Sequence, residues 1–148
     1  MKLVAALTLA VLPSAGLAAH VGPCDGAVNA RYLVEPWGEN AATYAEGAIR
    51  VALFDNVEPA GAALHLMVIS PPRDETGMRQ CRRVSLEEGS GFYNLDFAAR
   101  SADYDLAKGL TLTIPAERYD PDTGGGAPAR LRVTIDQNTG AIAAGISP

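Results

Sequence analysis

Two histidines and a methionine are spaced so that they could bind copper. His65 and Met67 stand two residues apart in an apolar run typical of a strand, so both side chains would point to one face of a sheet. His20 could chelate copper through its amine and imidazole together if cleavage left it at the N-terminus. Imidazole and thioether groups are suitable copper ligands. The pattern predicts a copper site, with the alternative that His65 and Met67 belong to the core.

Two acidic segments share the pattern D-x-[DN]-T-G, at 120–124 and 136–140. Oxygen ligands at alternate positions, such as Asp120 and Asp122, followed by a glycine are typical of the first half of a calcium loop. Neither copy has the later acidic residue that completes an EF-hand loop. The same residues also suit a tight hairpin, because glycine adopts a positive φ at no steric cost. The spacing therefore leaves two interpretations, a weak calcium site or a turn.

An organic or peptide ligand would need a different set of side chains. Arg79 and Arg83 share one face of a predicted strand with Cys81, and paired guanidinium groups could hold a carboxylate or phosphate. Trp37 could provide an aromatic binding surface near the mouth of a loop. The alternatives are a solvated arginine face on the sheet and an aromatic side chain that fills the end of the core.

No set of residues in the sequence identifies a reaction. A serine nucleophile needs a histidine base, yet Ser90 lacks the spacing of a nucleophile elbow and His65 is the only histidine well inside the chain. Glu87 and Glu88 are neighbours, so on a strand they would face opposite sides. Phosphate-binding loops are absent and no cofactor is expected. The prediction is a protein that is not an enzyme, and an unrecognised enzyme is the third alternative.

The N-terminal residues 1–19 have the organisation of a signal peptide. Lys2 precedes an apolar run that is interrupted only by Thr8, and small residues follow at Gly16, Ala18 and Ala19. The run is too short for a membrane span. We expect an exported protein, periplasmic or extracellular. The arginine- and alanine-rich composition is typical of a GC-rich Gram-negative bacterium.

Cys24 and Cys81 are the only cysteines of the chain. An even number of cysteines in an exported protein indicates a disulfide, because the compartment is oxidising. Their wide separation in sequence argues against a redox motif such as CxxC. We therefore predict one structural disulfide, between Cys24 and Cys81.

The rest of the chain, 20–148, has the pattern of short strands separated by turn residues. The predicted fold class is all-β, a single antiparallel β-sandwich or barrel of seven or eight strands. Residues 70–72, Ser-Pro-Pro, should end a strand, and 120–128 should form a long hairpin loop. The predicted strands are 28–34, 49–55, 62–69, 79–86, 92–98, 110–114, 131–135 and 141–146.

The charge balance limits the partners. The formal net charge is −5, which argues against nucleic acids and anionic membrane surfaces, since both require clustered cations. No part of the sequence resembles a known family closely enough to transfer a site. The function predicted is a small, exported, non-catalytic binding module for a protein, peptide or envelope component, without a membrane span. The alternative is a periplasmic protein that binds copper or calcium.

Overall fold

The computed structural model describes residues 16–57 and 61–148, which form two antiparallel sheets. The predicted all-β class is confirmed, and the two-sheet arrangement is that of a sandwich. The strands are β1 (Leu17–Ala18), β2 (His20–Pro23), β3 (Ala41–Tyr44), β4 (Ile49–Asp55), β5 (Leu64–Arg73), β6 (Arg79–Ser85), β7 (Asn94–Leu95), β8 (Ser101–Asp105), β9 (Gly109–Asp120), β10 (Gly125–Ile135) and β11 (Ile142–Ser147).

The order of the strands divides the chain into two halves. The first half forms a five-stranded sheet in the order β2-β6-β5-β4-β3, and the second half forms a six-stranded sheet in the order β1-β11-β10-β9-β7. Strand β8 also pairs with β9, on the same edge as β7 but further towards the start of β9. Only β1 departs from this division, because Leu17 pairs with Ile146 of β11. Most neighbouring strands are therefore joined by short hairpins.

The core lies between the sheets and comes from alternate residues of each strand. In the six-stranded sheet the inward row of β9 runs through Leu110, Leu112, Ile114 and Ala116. The inward side chains of the other long strands are Ile49, Val51 and Leu53 of β4, Leu66 and Val68 of β5, Val84 of β6, and Leu131, Val133 and Ile135 of β10. The rows of β4, β9 and β10 were readable from the sequence because they have a period of two, whereas β5 was predicted from a run that is apolar on both faces.

The predicted count of seven or eight strands is wrong, because the described residues alone form eleven. The strands missed by the prediction lie at or near sheet edges and show little apolar alternation. Every residue of β8 is exposed, so its sequence resembles a loop. Strand β3 fell in a segment rich in turn residues, and β1 has only two residues. Periodicity detects strands with one buried face and fails for exposed edges.

Three local predictions are also corrected. Residues 28–34 form no strand. They contain a short 3₁₀ helix, Ala30–Tyr32, which is capped by the preceding Asn29. The Asn29 side chain accepts a hydrogen bond from the backbone N–H of Arg31. Strand β5 passes through the prolines at 71 and 72, with a register shift between Ser70 and Arg73 that accommodates them. The expected long loop at 120–128 is a tight hairpin, since β9 ends at Asp120 and β10 begins at Gly125.

The predicted disulfide is present and links Cys24, just after β2, to Cys81 of β6. Most of the predicted signal peptide, residues 1–15, lies outside the described residues. The part of it that is described, Gly16 to Ala19, includes β1. Within residues 16–57 and 61–148, no helix is long and apolar enough to cross a membrane.

Candidate functional site on the outer face of the five-stranded sheet

The outer face of the five-stranded sheet collects most of the side chains singled out in the sequence. Along β4, β5 and β6, the residues between the core positions point away from the other sheet. His65 and Met67 of β5 lie on this face, as do Arg83 and Cys81 of β6, which stand opposite Met67 and Ile69 respectively. The same strands that build the core therefore present a second surface, which carries apolar, polar and charged side chains.

A crossing segment, residues 25–40, covers part of this outer face. It is anchored at β6, where the Cys24 backbone N–H donates to the Cys81 carbonyl at 3.3 Å. At β4 it is anchored by bonds of 3.0 Å from Val34 N–H to the Leu53 carbonyl and 2.9 Å from Leu53 N–H to the Asn40 carbonyl. Because both ends are held on opposite sides of β5, the segment passes over that strand. This explains why outward-facing Phe54 is 5% exposed.

Beside the crossing segment is an apolar groove of about 400 Å³, which we call the Trp37 groove. Trp37 stands at its rim and is 54% exposed. Phe54, Met67 and Ile69 supply apolar surface from two central strands, and Arg50 is the only charged residue of the lining. The full lining is Leu33, Trp37, Gly38, Ala41, Ala42, Thr43, Arg50, Ala52, Phe54, Met67 and Ile69. Hydrophobic linings with few polar groups are typical of ligand sites.

The two arginines predicted as ligand-binding residues are engaged by the protein itself. Arg79 donates from Nη1 to the carbonyl oxygens of Gly47 and Ala48, at 2.7 and 3.0 Å, and so holds the β3–β4 turn. Arg83 forms an ion pair of 3.2 Å with Asp25 at the start of the crossing segment. Neither arginine lines the Trp37 groove. Trp37 borders this groove, whereas Arg79 lines a smaller cavity of about 210 Å³ at the other end of β6.

His65 is buried on the outer face beside Ser85. Its Nδ1 shares a hydrogen bond of 2.9 Å with the hydroxyl of Ser85, and both residues are buried. Burial, and to a smaller extent the charge of Arg83, lowers the pKa of His65 to about 4. His65 is therefore neutral at neutral pH. Ser85 has no exposed surface and His65 is 5% exposed, so the pair is buried.

The proposed copper ligands share the outer face but have different neighbours. His20 of β2 lies opposite Ser85 in the ladder with β6, while His65 bonds to that same serine. Met67 lines the Trp37 groove. In the described part of the chain, no group of three or more His, Cys, Asp or Glu side chains is placed to hold a metal ion. Copper binding by a mature N-terminal His20 stays a prediction.

Asp120 and Asp122 lie at the β9–β10 turn of the other sheet. Asp120 accepts hydrogen bonds from the Thr123 hydroxyl at 2.8 Å and the Asp122 backbone N–H at 3.0 Å, and these bonds lower its pKa. Asp136 accepts the corresponding bonds from Thr139 and Asn138. Both turns close on a glycine with positive φ, at 69° for Gly124 and 78° for Gly140. The two motifs thus have the geometry of side-chain-stabilised turns.

Several residues of this face escaped the sequence analysis as parts of one site. Leu33 and Ile69 look like ordinary apolar residues, and Ser85 lies in a strand with no motif around it. Nothing local shows that a distant segment folds across β5. The chain matches no protein-family model, and comparisons with curated proteins and with solved structures find no significant similarity.

Proposed function

We propose that this protein is an exported, non-catalytic binding module of the cell envelope, and that an apolar segment of a partner protein or peptide docks in the Trp37 groove. The observation that carries the proposal is the exposure of Trp37 beside a continuous apolar surface. Exposed tryptophan is costly to leave in water and is enriched at the energetic centres of protein interfaces.

The edge strand β3 supports an extended peptide as the ligand. Ala41, Ala42 and Thr43 of β3 line the groove, and within the described residues β3 pairs only with β4. Its sequence, Ala-Ala-Thr-Tyr, has no proline or charge of the kind that protects edge strands from pairing. A peptide added along β3 would make backbone hydrogen bonds and could place alternate side chains beside Ala41 and Thr43, which line the outer side of β3 in the groove.

Site-directed photocrosslinking in cells of the source organism tests this proposal. A photoreactive residue at Thr43, which is exposed on β3, should give a defined adduct that disappears in the Trp37→Ala background. Ser101, exposed on edge strand β8 of the other sheet, is the matched control position and should give no such adduct. Equal adducts from both positions, or none from Thr43, would contradict docking in the groove.

Fluorescence then tests the groove with the partner recovered from the adduct. Trp37 is the only tryptophan, so the intrinsic emission reports on this site alone. We expect the emission to shift to shorter wavelength on binding, because a docked apolar side chain removes water from the indole. Trp37→Ala should weaken binding by about tenfold or more while leaving the thermal unfolding unchanged. An unaltered affinity would refute the role of Trp37.

A further inference from the structure

A cleft opens between the edges of the two sheets, where β3 lies near β8. It has a volume of about 410 Å³, and its lining is Tyr44, Ala45, Ala102, Asp103, Tyr104 and Leu110. We call it the edge cleft. Within the described residues, β3 pairs only with β4 and β8 only with β9, so each strand leaves one side unpaired. All of the lining residues follow the predicted leader, and the cleft does not depend on it.

The backbone of β3 has hydrogen-bonding groups that point to this open edge. In an antiparallel ladder, only every second residue of a strand bonds to a given neighbour. The Leu53 N–H donates to the Asn40 carbonyl at 2.9 Å, so every second residue from Asn40 onward bonds to β4. The residues between these positions, Ala41 and Thr43, therefore direct their N–H and C=O groups away from β4. A peptide strand could bond to them without displacing any bond of the sheet.

A peptide strand added along β3 would contact both faces of the sheet, because successive side chains of a strand point to opposite sides. Side chains paired with Ala41 and Thr43 would lie beside the Trp37 groove. The side chain paired with Tyr44 would enter the edge cleft, because Tyr44 packs on the core side of its sheet. In an antiparallel addition the pair at Tyr44 has no direct hydrogen bonds, and such pairs bring their side chains closest together.

The walls of the edge cleft suit a large apolar side chain. Ala102 and Tyr104 of β8 stand opposite core residues of β9, so they face the inner side of the sheet. Tyr104 is 57% exposed and has surface that a partner could bury. On the other side, the Tyr44 hydroxyl accepts a hydrogen bond of 3.0 Å from Arg100 Nε, which holds its ring in place. An aromatic side chain would therefore lie between two tyrosines.

The rim of the edge cleft is acidic. Asp103 lies in its lining, and Glu46 follows Ala45 in the β3–β4 turn. Both carboxylates are exposed, and in the described part of the chain neither forms an ion pair. The net charge of the protein is also negative, at −5. A basic residue of the partner would therefore be attracted to this end of β3.

We propose that the edge cleft selects the partner segment, which is an extended strand with an aromatic residue in register with Tyr44 and a basic residue directly before it. In an antiparallel strand, the preceding residue lies beyond Tyr44, towards Glu46. This inference rests on the proposed function and adds the sequence class that the site recognises. The Trp37 groove and the edge cleft would then hold alternate side chains of one segment.

The experiment is an NMR titration of the ¹⁵N-labelled, oxidised protein with the peptide acetyl-Lys-Phe-Val-Thr-Val-Thr-amide. We expect saturable shifts of the backbone amides of Thr43 and Ala102, which lie on the two edges. An analogue with alanine in place of phenylalanine should bind about tenfold or more weakly, because it leaves the cleft unfilled. An analogue with glutamine in place of lysine should bind about threefold more weakly, the effect of an exposed ion pair.

Variants of the protein test the two contacts separately. Ala102→Phe fills the edge cleft from an exposed position, and should weaken binding of the phenylalanine peptide about tenfold while leaving the alanine analogue unaffected. Ser101→Phe is the matched control, because Ser101 is exposed on the opposite face of β8. Glu46→Gln should remove the preference for lysine. Glu39→Gln, an exposed carboxylate beyond the other end of β3, should not.

No binding of the phenylalanine peptide, equal binding of its alanine analogue, or unchanged affinity in Ala102→Phe would overturn the inference. Shifts of the same resonances with protein concentration alone would also overturn it, because a second copy of the chain would then occupy the edge. These outcomes leave the proposed function standing as long as Thr43 gives its photocrosslinked adduct. Loss of that adduct would contradict docking along β3 itself.

Discussion

At the scale of single residues, burial decides what each candidate group can do. His65 is 5% exposed, and its Nδ1 shares a hydrogen bond with the Ser85 hydroxyl. Arg118 is the opposite case, since its buried Nε lacks any acceptor among the described residues. His65 stands out in the sequence as a candidate copper ligand, whereas Arg118 does not. Their environments give the His65 Nδ1 a hydrogen-bond partner and leave the Arg118 Nε without one among the described residues.

The lowered pKa of His65 predicts a defined pH dependence of stability. Unfolding raises this pKa from about 4 to 6.5, so the unfolded chain takes up a proton as the pH falls through this window while the folded chain does not. Stability from this group is complete above pH 6.5 and is lost between pH 6.5 and 4. We expect a loss of about 3 kcal/mol from pH 7 to pH 4 in the free energy of unfolding.

Urea unfolding of the wild type and of His65→Gln at several pH values measures this contribution. Glutamine can keep a hydrogen bond to Ser85 but does not titrate, so the difference between the two curves isolates the histidine from the carboxylates. The wild type should lose stability more steeply than the variant below pH 6.5. Parallel curves would show that His65 is protonated as easily in the folded protein as in the unfolded chain.

At the scale of elements, the site depends on a segment without regular strand structure. The crossing segment is held at its first end by the disulfide to Cys81 and by the Arg83–Asp25 ion pair, and at the other end by backbone bonds to Leu53. Its residue Leu33 forms a bridge with Phe54, and His65, Ser85 and Phe54 of this outer face are all buried. The disulfide therefore supports both the stability of the fold and the boundary of the Trp37 groove.

Removing the disulfide should destabilise the protein strongly. The two cysteines are 57 residues apart, and in the chain-entropy model closing a loop of this length contributes about 4 kcal/mol. Cys24→Ser/Cys81→Ser should lose up to that amount in denaturant unfolding, and the reduced wild type should lose the same. If the reduced wild type is as stable as the oxidised protein, the disulfide does not stabilise the fold and the crossing segment is held by its other contacts.

At the scale of the whole molecule, the two halves of the chain each form one sheet, and the core forms only when both are present. The exception is β1, which lies in the last residues of the predicted signal peptide. Leu17 of β1 is 64% exposed, and the strand pairs with β11 at two positions only. Strand β11 keeps a ladder of six paired positions with β10 whether or not β1 is present. The sandwich should therefore tolerate loss of the leader.

Export gives a direct test at this scale. Protein recovered from the envelope fraction should begin at Ala19 or His20 in mass spectrometry, with both cysteines oxidised, and should unfold in one cooperative transition. The physical reason is that the core residues all follow the cleavage point apart from Ala19 at its boundary. Recovery of an intact Met1 precursor from the cytosol with two free thiols would contradict both the predicted leader and the predicted location.

The sequence alone determined the all-β class and the long central strands, because these depend on local periodicity and on turn residues. It also determined the disulfide, because two cysteines in one chain can pair with each other in only one way. It could not determine the edge strands β3 and β8, because β8 is exposed throughout and β3 has only four residues in a segment rich in turn residues. Only the tertiary structure placed the crossing segment over β5, left Trp37 beside an apolar groove, and opened a cleft between the edges of β3 and β8. These features arise from contacts between distant parts of the chain. A period of two shows that a strand has two different faces, but it does not show which other segment covers each face.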